Sequence, residues 1–289
     1  MSANHDIRFF KMNGLGNQIV VADLRDGQAR LNGAQAAAIA QHPRTPFDQL
    51  MALEPAKSNG TEAFIRIFNQ DGSTAGACGN GMRCVGLVMQ EPGTSVIYET
   101  DAGLLPVERK DGNLLTVDMG EPRFGWDEIP LRDEFHDTTG IELQIGPIDD
   151  PVLHSPSVCS MGNPHAVFWV PDVTTQALDK FGPMLENHPI FPDRANISVA
   201  QIVDDRHVRT RTWERGAGLT QACGSAACAV LVCGVRLGYL ERSATVSVPG
   251  GDLQIEWTEA GRVLMSGPAE HEYQGEVTIA DDGSVEINI

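Results

Sequence analysis

Short apolar, β-favouring runs closed by glycine, proline or Asp-Gly turns fill most of this chain, and only a few stretches carry helical character. Residues 7–23 (IRFFKMNGLGNQIVVAD) predict strand, glycine-rich turn, strand, with Asn17 in the turn. An alanine-rich helix over 34–42 ends at Pro43, and residues 47–54 form a strand entered through Asp48-Gln49. Residues 64–68 are a further strand, Asp71-Gly72 is a turn, and after Cys78 the glycines give way to Met82, Val85, Leu87, Val88 and Met89. That pattern places Cys78 at the mouth of a helix closed by Pro92-Gly93. Three strands follow (SVIYET, LLPVE, LLTVDM), turning at 101–103 and 111–113.

The plan then repeats. Arg66 precedes Cys78 by twelve positions, as Arg211 precedes Cys223, and the two cysteines are 145 residues apart. Gly16-Asn17 against Gly162-Asn163, Gln49 against Asn196, Gly103 against Gly251 and Gly120 against Gly267 follow at offsets of 146 to 148. Such a register marks two copies of one supersecondary plan. In the second copy, residues 158–170 read as strand, turn, strand; 174–188 as a helix broken at Gly182-Pro183; 195–203 and 207–213 as strands before the second cysteine helix. Residues 121–155 carry little signal and are expected to lead into the second copy through strands whose positions the pattern does not mark. The last two runs, 276–280 and 284–289, are surplus to the second copy and are expected to return to the first domain.

The second cysteine helix, residues 226–235, is apolar on every face, and the first is nearly so, with Arg83 the one charge before Gln90. A helix apolar all round is buried all round. With many strands per half and one such helix, the economical fold is α+β: two pseudo-symmetric domains, each a curled, mostly antiparallel sheet wrapped around a central helix. The expected domains are 1–120 plus 272–289, carrying Cys78, and 121–271, carrying Cys223, with the cysteine turns facing a cleft between them.

A formal net charge of −18 argues against nucleic acid or an anionic membrane as partner, since both demand basic patches. No apolar run reaches the roughly 18 residues of a membrane span, and the first ten residues lack the layout of a signal peptide. A cytoplasmic protein with reduced thiols is expected. The six cysteines form no CxxC knuckle, so no metal is expected. The glycines of GLGN are no dinucleotide motif, lacking GxGxxG before a helix.

A thiol at a helix start feels the unpaired N–H groups of the first turn, which lower its pKa below about 8.5. Two such thiols on opposite walls of a cleft can invert a stereocentre: one as thiolate takes a proton from carbon, the other as thiol returns one on the far side. The amides of Gly79, Asn80, Gly224 and Ser225 can hold the substrate carboxylate as it gains enolate-like charge.

The segments KMNGLGN, FDQL, RIFNQDGS, ACGNGMRC, MGNPH, RANI, WERGAG and QACGSAAC resemble, in order and over nearly the whole chain, those of diaminopimelate epimerases. The resemblance implies a cofactor-independent epimerase interconverting LL- and meso-diaminopimelate for lysine and cell-wall synthesis, tending towards homodimers. It implies Cys78 and Cys223 as base and acid, Cys78 acting on the LL form. Asn17, Gln49, Asn69, Asn163, Asn196 and Glu214-Arg215 would hold substrate with the turns Gly79-Asn80 and Gly224-Ser225, while His165 and Glu214 would support catalysis. The residue types agree: Arg215 suits a distant carboxylate, Glu214 an ammonium. None of the four lysines (Lys11, Lys57, Lys110, Lys180) sits where a pyridoxal Schiff base would. Departures from the usual pattern fall at Gln18-Ile19, residues 100–103, Leu219 and Ala226.

Other readings stand beside this one. Buried cysteine is often a small hydrophobe, the expectation for Cys84, Cys159, Cys228 and Cys233; His165 could be a turn histidine and Glu214-Arg215 a solvated strand end. A proline or hydroxyproline racemase shares the two-thiol design, and a non-catalytic binding or redox-sensing relative would keep the cleft without turnover. Phenazine-type isomerases lack the cysteine pair.

Overall fold

Leu15 and Gly16 both take positive φ, 59° and 83°, the twist that a two-residue hairpin turn requires. Asn13 Oδ1 accepts from the Gly16 N–H at 2.8 Å and steadies it. The turn joins His5–Gly14 to Asn17–Asp23, so Asn17 is the first residue of the second strand, opposite Gly14. In the computed structural model, which describes residues 5–279 and 284–289, this hairpin opens the first of two units: Met1–Val117 with Gly267–Ile289, and Asp118–Ser266.

In the first unit Asn17–Asp23 runs parallel to Gln49–Glu54, which obliges the chain to cross over. Helix α1 (Gly33–Gln41) makes the crossover, started by a capping box between Asn32 and Gln35. Gln49–Glu54 pairs antiparallel with Phe64–Asn69; Ser95–Thr100, Gly103–Arg109 and Leu114–Asp118 form a meander. Glu270–Ile279 pairs with His5–Gly14 and with Val285–Asn288. The final expected runs fall on these two strands, except that residue 280 lies outside the described residues.

The second unit repeats the ladders register for register. Ile19 opposite Gln49 recurs as His165 opposite Asn196. Leu50 opposite Phe68 recurs as Ile197 opposite Trp213, and Phe68 opposite Thr74 as Trp213 opposite Leu219. The parallel pair Phe64–Glu99 recurs as Arg209–Ser247, and the turn pair Thr100–Gly103 as Val248–Gly251.

Each unit wraps its strands around one helix. Helix α2 (Gly79–Met89) is buried from Gly79 through Gly86 and packs against the strands starting at His5, Asn17, Gln49, Gly103 and Glu270. A Cβ at Gly86 would lie 2.5 Å from Leu115 Cδ2, so this glycine sets how closely helix and sheet approach. Helix α4 (Gly224–Arg236), three residues longer than the apolar run that announces it, is buried from Gly224 to Gly234 except at Ser225.

Two expectations are corrected. The helix expected to break at Gly182-Pro183 instead runs through both residues as α3 (Leu178–Glu186), after a separate 3₁₀ turn at Val173–Thr175. The backbone there is pressed against Trp213, whose Cγ lies 2.4 Å from where a Gly182 Cβ would stand, and the helix continues through Pro183 in spite of the donor that a proline lacks. Residues 121–155 contribute almost no strand. Gln144–Ile145 pairs with Leu153–His154 and Arg123 bridges Ser160, while Ile129, Leu131, Ile141 and Leu143 join the core beneath α3.

No helix among the described residues is long and apolar enough to cross a membrane. Leu231 on α4 is fully buried, whereas Leu104 is 56% exposed. Leu231→Ala is expected to cost about 2–5 kcal/mol in urea unfolding, and Leu104→Ala under about 0.5 kcal/mol.

Candidate active site

In the first unit the strand Phe64–Asn69 ends at a turn, Thr74–Ala75 pairs back on it, and the chain reaches α2 with Cys78 as N-cap. The half-buried Cys78 sulfur accepts from the Gly81 N–H at 3.2 Å, while the Met82 N–H bonds the Cys78 carbonyl. A thiolate there would face the amides of the first turn. The hairpin lies alongside: a Cβ at Gly14 would sit 3.4 Å from Asn80 and 3.5 Å from Cys84 Sγ, which brings Asn17 next to the helix start. Asn17 Oδ1 is buried without a protein partner. Gln49 Nε2 donates to Asn69 Oδ1 at 3.3 Å, and Asn69 Nδ2 to Ser73 Oγ at 3.0 Å. Asn17, Gln49, Asn69, Gly79 and Asn80 therefore gather at the Cys78 end of the helix. Burial pushes the Cys84 thiol up to about 12, as befits a packing residue.

In the second unit Cys223 caps α4 and is 7% exposed. Its sulfur lies 3.6 Å from Ser225 Oγ, and Asn163 Nδ2 donates to the same hydroxyl at 3.4 Å. Burial pushes the Cys223 thiol well above the usual cysteine range and the Glu214 carboxylate adds to this; the Ala226 amide and Ser225 hydroxyl pull down without overcoming them. The expectation that a helix start lowers this thiol's pKa is thus corrected: desolvation and a nearby anion outweigh the first-turn amides.

His165 is no turn histidine but the second residue of the strand Pro164–Trp169, fully buried. Asn163 Oδ1 faces its Nε2 at 2.8 Å, so Nε2 carries the ring proton and donates. Burial lowers the ring's pKa to about 3, with the Arg215 cation contributing. Glu214 and Arg215 are half-buried rather than a solvated strand end. The Arg215 N–H donates to Asn196 Oδ1 at 3.0 Å, its Nη1 donates to the Asp193 carbonyl, and Asn196 Nδ2 donates to the Pro164 carbonyl. The structure thereby brings Asn163, His165, Asn196, Glu214, Arg215, Cys223, Gly224 and Ser225 together at one end of α4.

Two supports were absent from the sequence reading. Glu186, at the end of α3, accepts from Trp213 Nε1 (2.7 Å), the Gly216 N–H (2.9 Å) and Arg194 Nη1 (3.1 Å); it holds the turn that carries Glu214 and Arg215. Thr220 Oγ1 donates to Glu214 Oε1. Among the described residues no group of three or more His, Cys, Asp or Glu side chains is placed to hold a metal ion.

A histidine whose folded pKa lies near 3 against 6.5 when unfolded binds its proton more readily in the unfolded chain. Its neutral burial therefore costs no stability above about pH 6.5, and stability is lost progressively as pH falls towards 3. Urea unfolding is expected to show a slope that rises below pH 6.5 and reaches about 1.4 kcal/mol per pH unit between about pH 5.5 and 4 from this one group; His165→Gln should remove that part of the slope.

The pattern of the family described as diaminopimelate epimerase matches residues 9–125 and 157–272. The diaminopimelate epimerase of Rhodopseudomonas palustris (strain TIE-1) is 59% identical over 280 residues, covering 95% of this chain and 94% of that one. The diaminopimelate epimerase of Rhizobium meliloti (strain 1021) is 58% identical over 275 residues, covering 94% and 91%. Among solved structures, a hydroxyproline epimerase from Agrobacterium vitis superposes with a TM-score of 0.70 at 18% identity, covering 98% of this chain and 96% of that one. A phenazine biosynthesis protein of the PhzF family from Enterococcus faecalis gives 0.68 at 16% identity, covering 94% and 99%. These two likenesses speak for the fold alone. The extent and identity of the sequence matches, falling on both thiol-capped helices and the strands that lead to them, show that this chain belongs to the diaminopimelate epimerase family and is an enzyme of the epimerase class.

Proposed function

We propose that this chain interconverts LL- and meso-2,6-diaminopimelate, without a cofactor, by exchanging one α-proton between Cys78 and Cys223. The observation that carries the reading is the difference between two otherwise repeated thiol sites. Cys78 is half-buried and accepts an amide N–H from the first turn of its own helix. Cys223 is buried beside a carboxylate and keeps its proton. The first suits a base and the second an acid.

On this reading the LL substrate gives its Cα proton to the Cys78 thiolate, which becomes a thiol. The electron pair spreads into the substrate carboxylate, facing the first-turn amides of Gly79-Asn80 and Gly224-Ser225. The Cys223 S–H then gives its proton to the opposite face of the carbon and becomes a thiolate; the reverse reaction exchanges the roles. Arg215, fixed at its backbone by Asn196 and at one guanidinium nitrogen by Asp193, keeps further N–H groups for the distant carboxylate. Glu214 and the amide oxygens of Asn17, Gln49 and Asn69 suit ammonium groups. His165 stays neutral and orients Asn163. The proposal extends to lobes of 1–120 plus 272–289 and 121–271, and to a cytoplasmic homodimer serving lysine and peptidoglycan synthesis, as the family resemblance implies.

Proton NMR in heavy water, with reduced protein and no added cofactor, tests this. Deuterium is expected at one centre of LL-diaminopimelate as the meso form accumulates, with proline and hydroxyproline untouched. Cys78→Ala and Cys223→Ala should each reduce inversion by about 10²- to 10⁴-fold. Exchange of a proline alone would overturn the substrate assignment, and inversion by both single variants would overturn the two-thiol route.

A further inference from the structure

The loop from Glu214 to Cys223 holds a contact with no counterpart in the first unit. Gly216 and Gly218 both take positive φ, 77° and 85°, so the chain doubles back and Gly218 pairs with Glu214. Two residues later, Thr220 Oγ1 donates to Glu214 Oε1. The strand ending at Glu214 packs against α4, and its carboxylate is among the groups that raise the proton affinity of the Cys223 thiol. A hydroxyl donating to a carboxylate favours its ionised form and fixes its orientation.

The duplication supplies an internal control. Glu214 corresponds to Asn69 and Thr220 to Ala75 at the same offset of 145. Where the carboxylate is absent the hydroxyl is absent too, and Asn69 is held instead by Ser73. The hydroxyl and the carboxylate thus occur as a pair, in the one unit whose thiol is deeply buried.

We propose that Thr220 is a positioning residue for proton transfer at Cys223: it holds the Glu214 carboxylate in one orientation at the Cys223 end of α4. The proposal rests on the two-thiol reading of the site. Other titratable side chains on α4 or on the elements packed against it are His165 and Cys159 from neighbouring strands, Arg215 beside Glu214, and Cys228 and Cys233 on the helix, the last of these towards its far end. His207 and Asp252 meet at Ser247, on strands that also pack against α4.

The test follows the Cβ resonances of protein labelled with ¹³Cβ-cysteine as a function of pH, assigning Cys78 and Cys223 with their alanine variants. In Thr220→Val, which keeps the shape and removes the donor, the Cys223 titration is expected to move to lower pH while that of Cys78 stays in place. Thr220→Ser should behave as the parent protein, and Thr220→Val combined with Glu214→Gln should move Cys223 no further than Glu214→Gln alone. Epimerisation by Thr220→Val should fall about 10- to 100-fold in kcat/KM, the range for one hydrogen bond to a charged group, equally in both directions because the equilibrium constant fixes their ratio. Coincident Cys223 curves for Thr220→Val and the parent, including curves that are both flat to pH 10, would overturn the assignment, as would an additive double variant. If the parent protein inverts no diaminopimelate, the functional reading falls, and the titrations still decide whether Thr220 governs Glu214.

Discussion

Burial of an apolar helix whose first residue follows a thiol is the constraint on which each unit depends. Neither α2 nor α4 can present a face to water, so strands must surround each one, and the entry of the chain into the helix is fixed by that enclosure. The cap position is therefore set by the packing of each unit's core. It inherits the rigidity of the core while standing at the core's edge, which suits a group that must meet a small molecule with little freedom to wander.

Within that common frame the two halves have diverged at a few positions on the elements that lead to the thiols. Ile19 stands where the second unit has His165, Asn69 where it has Glu214, Asn80 where it has Ser225 and Ala75 where it has Thr220. The ladders beneath these positions keep the same register. One backbone thus presents two chemical environments. In the first, an asparagine carbonyl is left without a protein partner; in the second, the equivalent carbonyl is occupied by a histidine ring.

Much of this was legible in the sequence because the signals were local. Alternation and turn residues marked the strands, glycines before an apolar run marked both helix starts, and the repeat offset paired the landmarks. What remained hidden depended on contacts between distant segments. Glu186 gives no sign in its own neighbourhood that it will hold Trp213 and Gly216. Pro183 reads as a helix breaker until Trp213 is seen pressed on the helix beside it. The raised affinity of Cys223 for its proton also escaped, because a helix start argues for the opposite and only three-dimensional burial with Glu214 reverses it. Residues 121–155 contribute to the core by isolated apolar side chains without regular spacing, and no periodicity could have announced them.

The burial of Cys223 carries a consequence for the order of events. On the proposed route a forward turnover leaves the protons exchanged, with Cys78 carrying one and Cys223 bare. The enzyme that releases product is then a different species from the one that took up substrate. A bare sulfur enclosed beside a carboxylate is the less favourable of the two forms, so return to the starting form runs downhill and needs only a path for protons. The cycle is in this sense ratcheted: the reacting carbon gains nothing by it, but the free protein is drawn back to the state that accepts the LL centre.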